Sequence, residues 1–432
     1  MSTTAIIVVC LLGIVVAIAL GYKFGINMGV TGIAFAYIVG CFMMQMRVKE
    51  VVALWPTSTV FQLMSITLFF GFATVNGTMK AIADHLLYAV RNQTWLISYA
   101  IFIIAFVLGA LGCAPPAANA IMAVIGFSVG LAAGLNPLII AWAVCHGAAI
   151  GACVPWGASG SVVSNTIASA GYEAEAAGMT VEFMVAYFVV TFAVLILLNI
   201  VFKGMKLKKI TVEKPAPFSP VHKKSLIVIC IVVALVVLPS MINNIVNVPW
   251  LATFSKVADI QMLGMIGFIV CSLMKLADEK TVIKSVPWNT IILVGGIAIL
   301  MGIATTAGVV ELISNWLNGS VPEFVIPAFL CILAGFLSFF SGGINTVFPM
   351  LAPMVPALVT GLTAKPVTLF IAILLGACYT ALSPFSTGGA IFMSNCPDDK
   401  IRAKLVGGQL GLAALGMIVT AVLAVTGILG VF

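Results

Sequence analysis

The stretch "SPFSTGGAIFMSNC", residues 383–396, places hydroxyl side chains, a proline and paired glycines inside an otherwise apolar segment. A second stretch of the same character, "VPWGASGSVVSN", occupies residues 154–165 in the first half of the chain. In each stretch the proline removes a helical hydrogen bond, and the glycines permit the backbone to unwind. We therefore predict two long apolar helices, residues 137–168 and 366–395, each broken near its middle.

The composition is that of a membrane protein. Hydrophobic residues make up 62% of the 432 positions and charged residues 8%, which leaves too little polar surface for a soluble globule. The apolar segments reach about 20 residues and lack the alternation of a β-barrel, so the spans should be α-helices. The ten cysteines form no CxxC pair, which argues against a metal or disulfide framework. No basic cluster is interleaved with aromatics, as nucleic-acid binding would require.

The two halves of the chain resemble each other. A polar linker, residues 203–224, separates residues 1–202 from residues 225–432. The segment "GFATVNGTMKAIADHL" at 71–86 aligns with "GIATTAGVVELISNWL" at 302–317. At nearly the same offset, "GAAIGACVPWGASG" at 147–160 aligns with "GACYTALSPFSTGG" at 376–389. Two matches in one order indicate an internal duplication.

Each half also contains a long apolar stretch with a polar interruption. The interruption is centred on Asn119 in the first half and on Asn345 in the second. Small residues and prolines around a polar tip favour a re-entrant hairpin, over about residues 95–133 and 323–360, although a straight crossing helix is the simpler alternative. With hairpins, each repeat has five transmembrane helices, and this odd number inverts the second repeat relative to the first.

The distribution of basic residues supports the hairpin arrangement. If the linker is cytoplasmic, sixteen of the twenty Lys and Arg residues lie on its side of the membrane. Only Arg47, Lys49, Lys256 and Lys365 lie on the other. Cytoplasmic loops of membrane proteins carry an excess of Lys and Arg. We therefore predict two inverted repeats joined by a basic cytoplasmic linker.

The ionisable residues bear on the coupling ion. All thirteen carboxylates are predicted at the ends of spans or in loops, so His146 is the residue that remains for an intramembrane proton relay. A packed, hydrogen-bonded histidine is at least as common as a relay. Without a buried Lys or Arg, amides, hydroxyls and helix ends would have to hold an anion, with a bound cation as counter-charge. This chemistry suits sodium better than protons.

At this point the sequence resembles the ion transporter superfamily, and within it the divalent anion:sodium symporters and the MatC-like dicarboxylate carriers. The resemblance covers nearly the whole chain, through "GINMGVTGIAFAYIVG", "PWNTIILVGGIAILMGIATTAGV", both tips and both breaks. In the symporters each hairpin tip carries serine, asparagine and threonine. Here the second tip reads "INT" (344–346) and the first "ANA" (118–120). The asparagines match, whereas the first tip lacks both hydroxyls.

The resemblance implies a sodium-coupled secondary transporter of small dicarboxylates that works by an elevator mechanism. It also implies a homodimer in the lipid bilayer, which we expect to be the bacterial cytoplasmic membrane. The expected substrate-binding residues are Asn119, Trp156, Gly157, Ala158, Ser159, Asn345, Thr346, Ser386, Thr387 and Gly388. The expected sodium-binding residues are Asn119, Pro155, Ser341, Gly343, Asn345, Ser383 and Pro384. We expect sodium as coupling ion and no other cofactor.

Three alternatives remain beside this prediction. The chain could be the large membrane subunit of a tripartite transporter that is fed by a soluble binding protein. It could also be a proton-coupled carboxylate carrier. An intramembrane enzyme is disfavoured, because the sequence contains no HExxH, no GxSxG and no pair of aspartates in the middle of a span.

Overall fold

The fold is described from a computed structural model. The structure describes residues 3–89, 91–205, 207–208, 214–246, 250, 253–254, 257–339, 342–360 and 362–431. These residues are mostly helical and include no β-strand. Helices satisfy every interior backbone group within one segment, which hydrocarbon surroundings demand. The expectation of an all-α membrane protein is confirmed.

The helices of residues 1–202 begin with two apolar spans and end with a long one. In order they are α1 (Thr3–Phe24), α2 (Met28–Tyr37), a π-helical extension (Ile38–Met43), α3 (Val48–Ala53), α4 (Thr57–Val75), α5 (Thr78–Ala89), α6 (Ile97–Ala110), α7 (Pro115–Ala133), α8 (Pro137–Gly151), α9 (Ala158–Ser169) and α10 (Ala176–Val201).

The second half runs through a comparable series after the linker. Its helices are α11 (Pro220–Val246), α12 (Ile260–Leu273), α13 (Glu279–Ser285), α14 (Trp288–Thr306), α15 (Val309–Ser320), α16 (Ile326–Ser338), a π turn (Gly343–Val347), α17 (Phe348–Leu351), α18 (Val355–Val359), α19 (Pro366–Thr380), α20 (Thr387–Ser394) and α21 (Asp399–Val425).

Five helices of the described chain are long and apolar enough to cross a membrane alone. They are α4, α7, α10, α14 and α21. Large apolar side chains on the outer helices face outward, including Leu273, which is 78% exposed, and Val201, which is 61% exposed. Such a surface would be unstable in water but suits a hydrocarbon environment. The protein is therefore integral to the membrane.

The two halves pack against each other in a crossed manner. Helix α2 lies against α14, and α4 lies against α12. Glycines permit the close approach of the first pair, since a Cβ at Gly32 would stand 2.9 Å from the carbonyl oxygen of Gly296. In the second pair, a Cβ at Gly267 would stand 2.5 Å from the Phe69 ring. Small residues at helix crossings are a common means of tight packing in membranes.

The helices that precede the two breaks form the centre of the protein. In α19, every residue from Val367 to Thr380 is buried, and most of α8 is buried as well. Both helices are apolar on all sides, as expected for a helix enclosed by others. Helix α6 packs against α8, and α16 packs against α19. The breaks at residues 152–157 and 381–386 therefore begin in the buried interior, and within them Pro155 and Phe385 are exposed.

The predicted hairpins fall on α6–α7 and on α16–α18. In the first, Gly112 adopts a φ of +84° in the short turn between the helices, a conformation that favours glycine. In the second, the arm 323–338 and the arm 343–359 are bent by 113° to each other. A bend of this size is compatible with a re-entrant segment and also with a broken span, so the hairpins remain a prediction. The inverted relation of the two halves remains a prediction.

Candidate functional site

A partly enclosed cavity of about 150 Å³ lies where the two hairpin tips meet the two helix breaks. Five of the residues predicted from the sequence line it: Asn119, Ala158, Ser159, Asn345 and Gly388. They come from both halves of the chain and span 269 positions from first to last. The structure thus brings both tips and the second arms of both broken helices to one site.

Each tip asparagine leaves a polar atom without a partner. Asn119 lies in the second turn of α7, which begins at Pro115 and Pro116, and it is 4% exposed. Asn345 lies in the π turn that opens the second arm of its hairpin. Both Oδ1 atoms are buried and accept no hydrogen bond from the described residues. An unmade hydrogen bond in the interior is costly, so these oxygens are suited to a ligand.

In the first break, many of the backbone N–H and C=O groups form hydrogen bonds with one another. The carbonyl oxygen of Ala152 accepts hydrogen bonds from the backbone N–H groups of Ser159 (3.1 Å) and Gly160 (3.0 Å). These are donors of the first turn of α9, which a helix N-terminus would otherwise offer to an anion. The break therefore supplies fewer free amides than its sequence suggests. Anion recognition has to rely more on side chains.

Other residues of the first break point away from the cavity. The indole of Trp156 donates to the carbonyl oxygen of Ala110 at 2.7 Å and borders an apolar groove between α6 and α11. Pro155 is exposed, and Gly157 serves as the N-cap residue of α9. The structure does not bring these three residues to the cavity.

In the second break, serine hydroxyls form hydrogen bonds with the unwound backbone. Ser386 Oγ donates to the carbonyl oxygens of Ala381 and Ser383, the latter at 2.8 Å. Ser383 Oγ in turn accepts from the backbone N–H of Phe385 at 3.2 Å. Pro384 lies in the same turn. These groups hold the unwound backbone in shape and do not line the cavity.

The second hairpin tip is set by close packing. A Cβ at Gly343 would stand 2.6 Å from the carbonyl oxygen of Ala377 in α19, so the tip rests on that helix. Thr346, the next residue after Asn345, is buried, and its Oγ1 has no partner among the described residues. Ser341 and the side chain of Thr387 lie outside the described residues.

Several cavity residues were not singled out from the sequence. These are Leu63, Thr67, Ala114, Cys145, Tyr187, Pro287, Thr290 and Cys378. Tyr187 is fully buried near the middle of α10, whereas tyrosines in membrane helices concentrate at the interfaces. That position was a sequence signal for a functional role. The others have apolar or weakly polar side chains that are common in spans.

The cavity wall carries no formal charge. No Asp, Glu, Lys or Arg is among the described residues that line it. His146 is the titratable nitrogen group of the wall; it is 2% exposed, and its Nδ1 lies 2.8 Å from the hydroxyl of Tyr187. No group of three or more His, Cys, Asp or Glu residues that could hold a metal ion occurs in the described chain. The site is therefore built from neutral amides, hydroxyls, thiols and one imidazole.

Comparison with known proteins gives a partial family match and a likeness in fold. No curated protein matches the chain. In fold, 99% of this chain aligns with 98% of the chain in the crystal structure of the YdaH transporter of Alcanivorax borkumensis, with a TM-score of 0.57 and 16% sequence identity. At this identity the likeness shows the fold alone. Residues 2–152 match the family model "Dicarboxylate carrier protein MatC N-terminus". About a third of the chain therefore resembles that family, and over nearly its whole length the chain shares the fold of a solved membrane transporter.

Proposed function

We propose that the protein is a secondary transporter that moves small dicarboxylate anions across the membrane. One observation carries the proposal: the buried, unpartnered amide oxygens of Asn119 and Asn345 lie at a single uncharged cavity between two helix breaks. Broken helices and polar tips at membrane depth are typical of secondary transporters. The match of residues 2–152 to the dicarboxylate carrier family supports the substrate class.

The volume of the cavity fits a short acid. A cavity of about 150 Å³ holds roughly ten water positions, at about 10–15 Å³ for each. Drug-sized ligands occupy larger sites, of roughly 300 Å³ and more. Acids of three or four carbons, such as malonate or C4 dicarboxylates, match this space.

The electrostatics of the wall support coupling to sodium. A dianion in a site without a cationic side chain needs a counter-charge, because an isolated charge is expensive at membrane depth. The free Oδ1 atoms of Asn119 and Asn345 are acceptors, which suit a hard cation. We therefore expect sodium to enter with the substrate.

An elevator-type motion is the mechanism that fits the packing. The hairpins and broken helices pack mainly on one another, through α6 with α8, α16 with α19, and α7 with α20. The pairs α2–α14 and α4–α12 lie outside this set. Rigid-body movement of one set against the other would expose the site alternately to each side. A homodimer in the bacterial cytoplasmic membrane is the assembly that we propose.

Uptake by purified protein in liposomes tests the proposal. Labelled mono- and dicarboxylates would be offered with sodium and proton gradients imposed separately. We expect uptake of short dicarboxylates driven by sodium at equal pH on both sides. Uptake driven by a proton gradient without sodium would favour a proton-coupled carrier. Uptake only on addition of a soluble binding protein and a small membrane subunit would favour the tripartite system. Failure to transport any carboxylate would refute the proposal.

A further inference from the structure

His146 presents an unused nitrogen at the cavity. The side chain lines the cavity and is 2% exposed, between the rings of Trp142 and Tyr379, whose centroids lie 4.2 Å and 5.2 Å from its own. Nδ1 lies 2.8 Å from the hydroxyl of Tyr187. Nε2 is buried and has no hydrogen-bond partner among the described residues.

The contact with Tyr187 assigns the tautomer of His146. Tyr187 is fully buried, and the hydrogen of a buried phenol needs an acceptor. Two acceptors lie within reach of this hydroxyl, Nδ1 of His146 and the sulfur of Cys378. Sulfur is a weak acceptor, so we assign the hydroxyl as donor to Nδ1. In the neutral ring the proton then resides on Nε2. His146 therefore offers a buried N–H donor without a partner, in a cavity whose tip asparagines leave acceptors free.

The imidazole N–H donor of His146 has no counterpart at the aligned position in the second half of the chain. When Gly147 is aligned with Gly376, the position that corresponds to His146 is Leu375, which is buried and apolar. The first-turn amides of α9 are bound to Ala152 and add little. The lining that the first half contributes thus holds an imidazole donor, and the lining described for the second half holds none.

We propose that Nε2–H of His146 donates a hydrogen bond to a carboxylate of the transported anion, and that Tyr187 holds the imidazole in the donating tautomer. The inference rests on the proposed function and assigns the residue that recognises one end of the substrate. His146 remains neutral through the cycle and carries no coupling proton. Tyr187 acts through His146 as a positioning residue.

Three variants test this assignment in proteoliposomes that already show dicarboxylate uptake. His146→Leu copies the residue of the other half and removes the donor. His146→Gln keeps an N–H close to the position of Nε2. Tyr187→Phe removes only the hydroxyl. Uptake against substrate and against sodium would be measured for each, with thermal unfolding in detergent as the check on folding.

We expect His146→Leu to raise the substrate KM by about tenfold or more, as the loss of a hydrogen bond to a charged group predicts, with half-saturation by sodium unchanged. His146→Gln should restore most of the affinity, and Tyr187→Phe should raise KM by an intermediate factor. Equal KM values in wild type and His146→Leu would overturn the assignment while leaving the proposed function intact. Loss of coupling at saturating substrate in His146→Leu would also overturn it, in favour of a proton relay. A wild-type protein that moves no dicarboxylate would refute both proposals.

Discussion

Asn119 and Gly388 face each other across the boundary between the two halves of the chain. A Cβ at position 388 would stand 3.6 Å from Asn119 Nδ2 and 3.0 Å from the carbonyl oxygen of Ala381. Glycine at this position therefore leaves room beside the first hairpin tip. The relationship also joins α7 to α20, so that a change at either residue alters the shape of the cavity.

Gly388→Ala should narrow the cavity beside Asn119. The added methyl group would touch Asn119 Nδ2 at an ordinary contact distance, and it fits only if the carbonyl of Ala381 moves by a few tenths of an ångström. We expect this to disturb the ligand site more than the fold. We expect the substrate KM to rise about tenfold, equivalent to roughly 1.4 kcal/mol. Gly411→Ala is the matched control, since a Cβ there meets no atom within 4 Å. Equal KM values for the two variants would place position 388 outside the site.

Asn119→Ala and Asn345→Ala should weaken both substrate and sodium binding. Each removes an amide that offers an acceptor to a cation and a donor to a carboxylate, at about 1.5–3 kcal/mol for each lost bond to a charged partner. We expect a more than tenfold loss of apparent affinity in uptake assays. Asn395→Ala is a suitable control, because its amide donates to Ile391 (2.8 Å) on α20, away from the cavity lining.

The asparagines could instead serve only to shape the hairpin turns. In that case the two tip variants would unfold at lower temperature, and their purified, folded fractions would keep wild-type constants for substrate and sodium. This result would refute the role of the tips in binding. It would leave the description of the fold unchanged.

Ser386→Ala should act on stability rather than on binding. Its hydroxyl donates to the carbonyl oxygens of Ala381 and Ser383 and caps α20, and loss of a cap costs about 1 kcal/mol. We expect a lower unfolding temperature and a KM within about threefold of wild type, as for a contact outside the site. Ser394→Ala, at the exposed end of the same helix, is the control and should change neither quantity. A large rise in KM with unchanged stability would restore Ser386 to the binding site.

Trp156→Phe tests the residue that the structure turns away from the cavity. The substitution keeps an aromatic ring and removes the indole N–H that donates to Ala110 at 2.7 Å. We expect stability to fall by about 1 kcal/mol, the typical worth of such a bond, with transport constants unchanged. Thermal unfolding and uptake measured on the same preparation distinguish this outcome from a direct contact with substrate, which would raise KM.

The predicted topology can be tested by thiol labelling. On a background without cysteine, Lys214→Cys in the linker and Glu173→Cys between α9 and α10 introduce single exposed thiols. An odd number of crossings per half and the excess of basic residues predict Lys214 in the cytoplasm and Glu173 outside. An impermeant reagent added to intact cells should therefore label position 173 alone. Labelling of position 214 alone would contradict the inverted arrangement.

The sequence by itself determined the class of the protein and the positions of its two interruptions. A chain with 62% hydrophobic and 8% charged residues can cover its surface only with lipid, and helices alone satisfy its backbone there. Proline and glycine break a helix through local geometry, so residues 152–157 and 381–386 could be anticipated without knowledge of distant contacts. The tip asparagines could be picked out for a similar reason, because a polar side chain within a span is costly unless it forms a hydrogen bond or binds a ligand.

Only the tertiary structure decided which side chains face the cavity. Ser159 and Gly388 line it, whereas Trp156 and Ser386 from the same two breaks bond to nearby backbone. The sequence of a break does not reveal how its turns close or how its helices rotate about their axes. The pairing of His146 with Tyr187 joins residues 41 positions apart. Such contacts depend on how whole helices pack, which is a long-range property that no local pattern encodes.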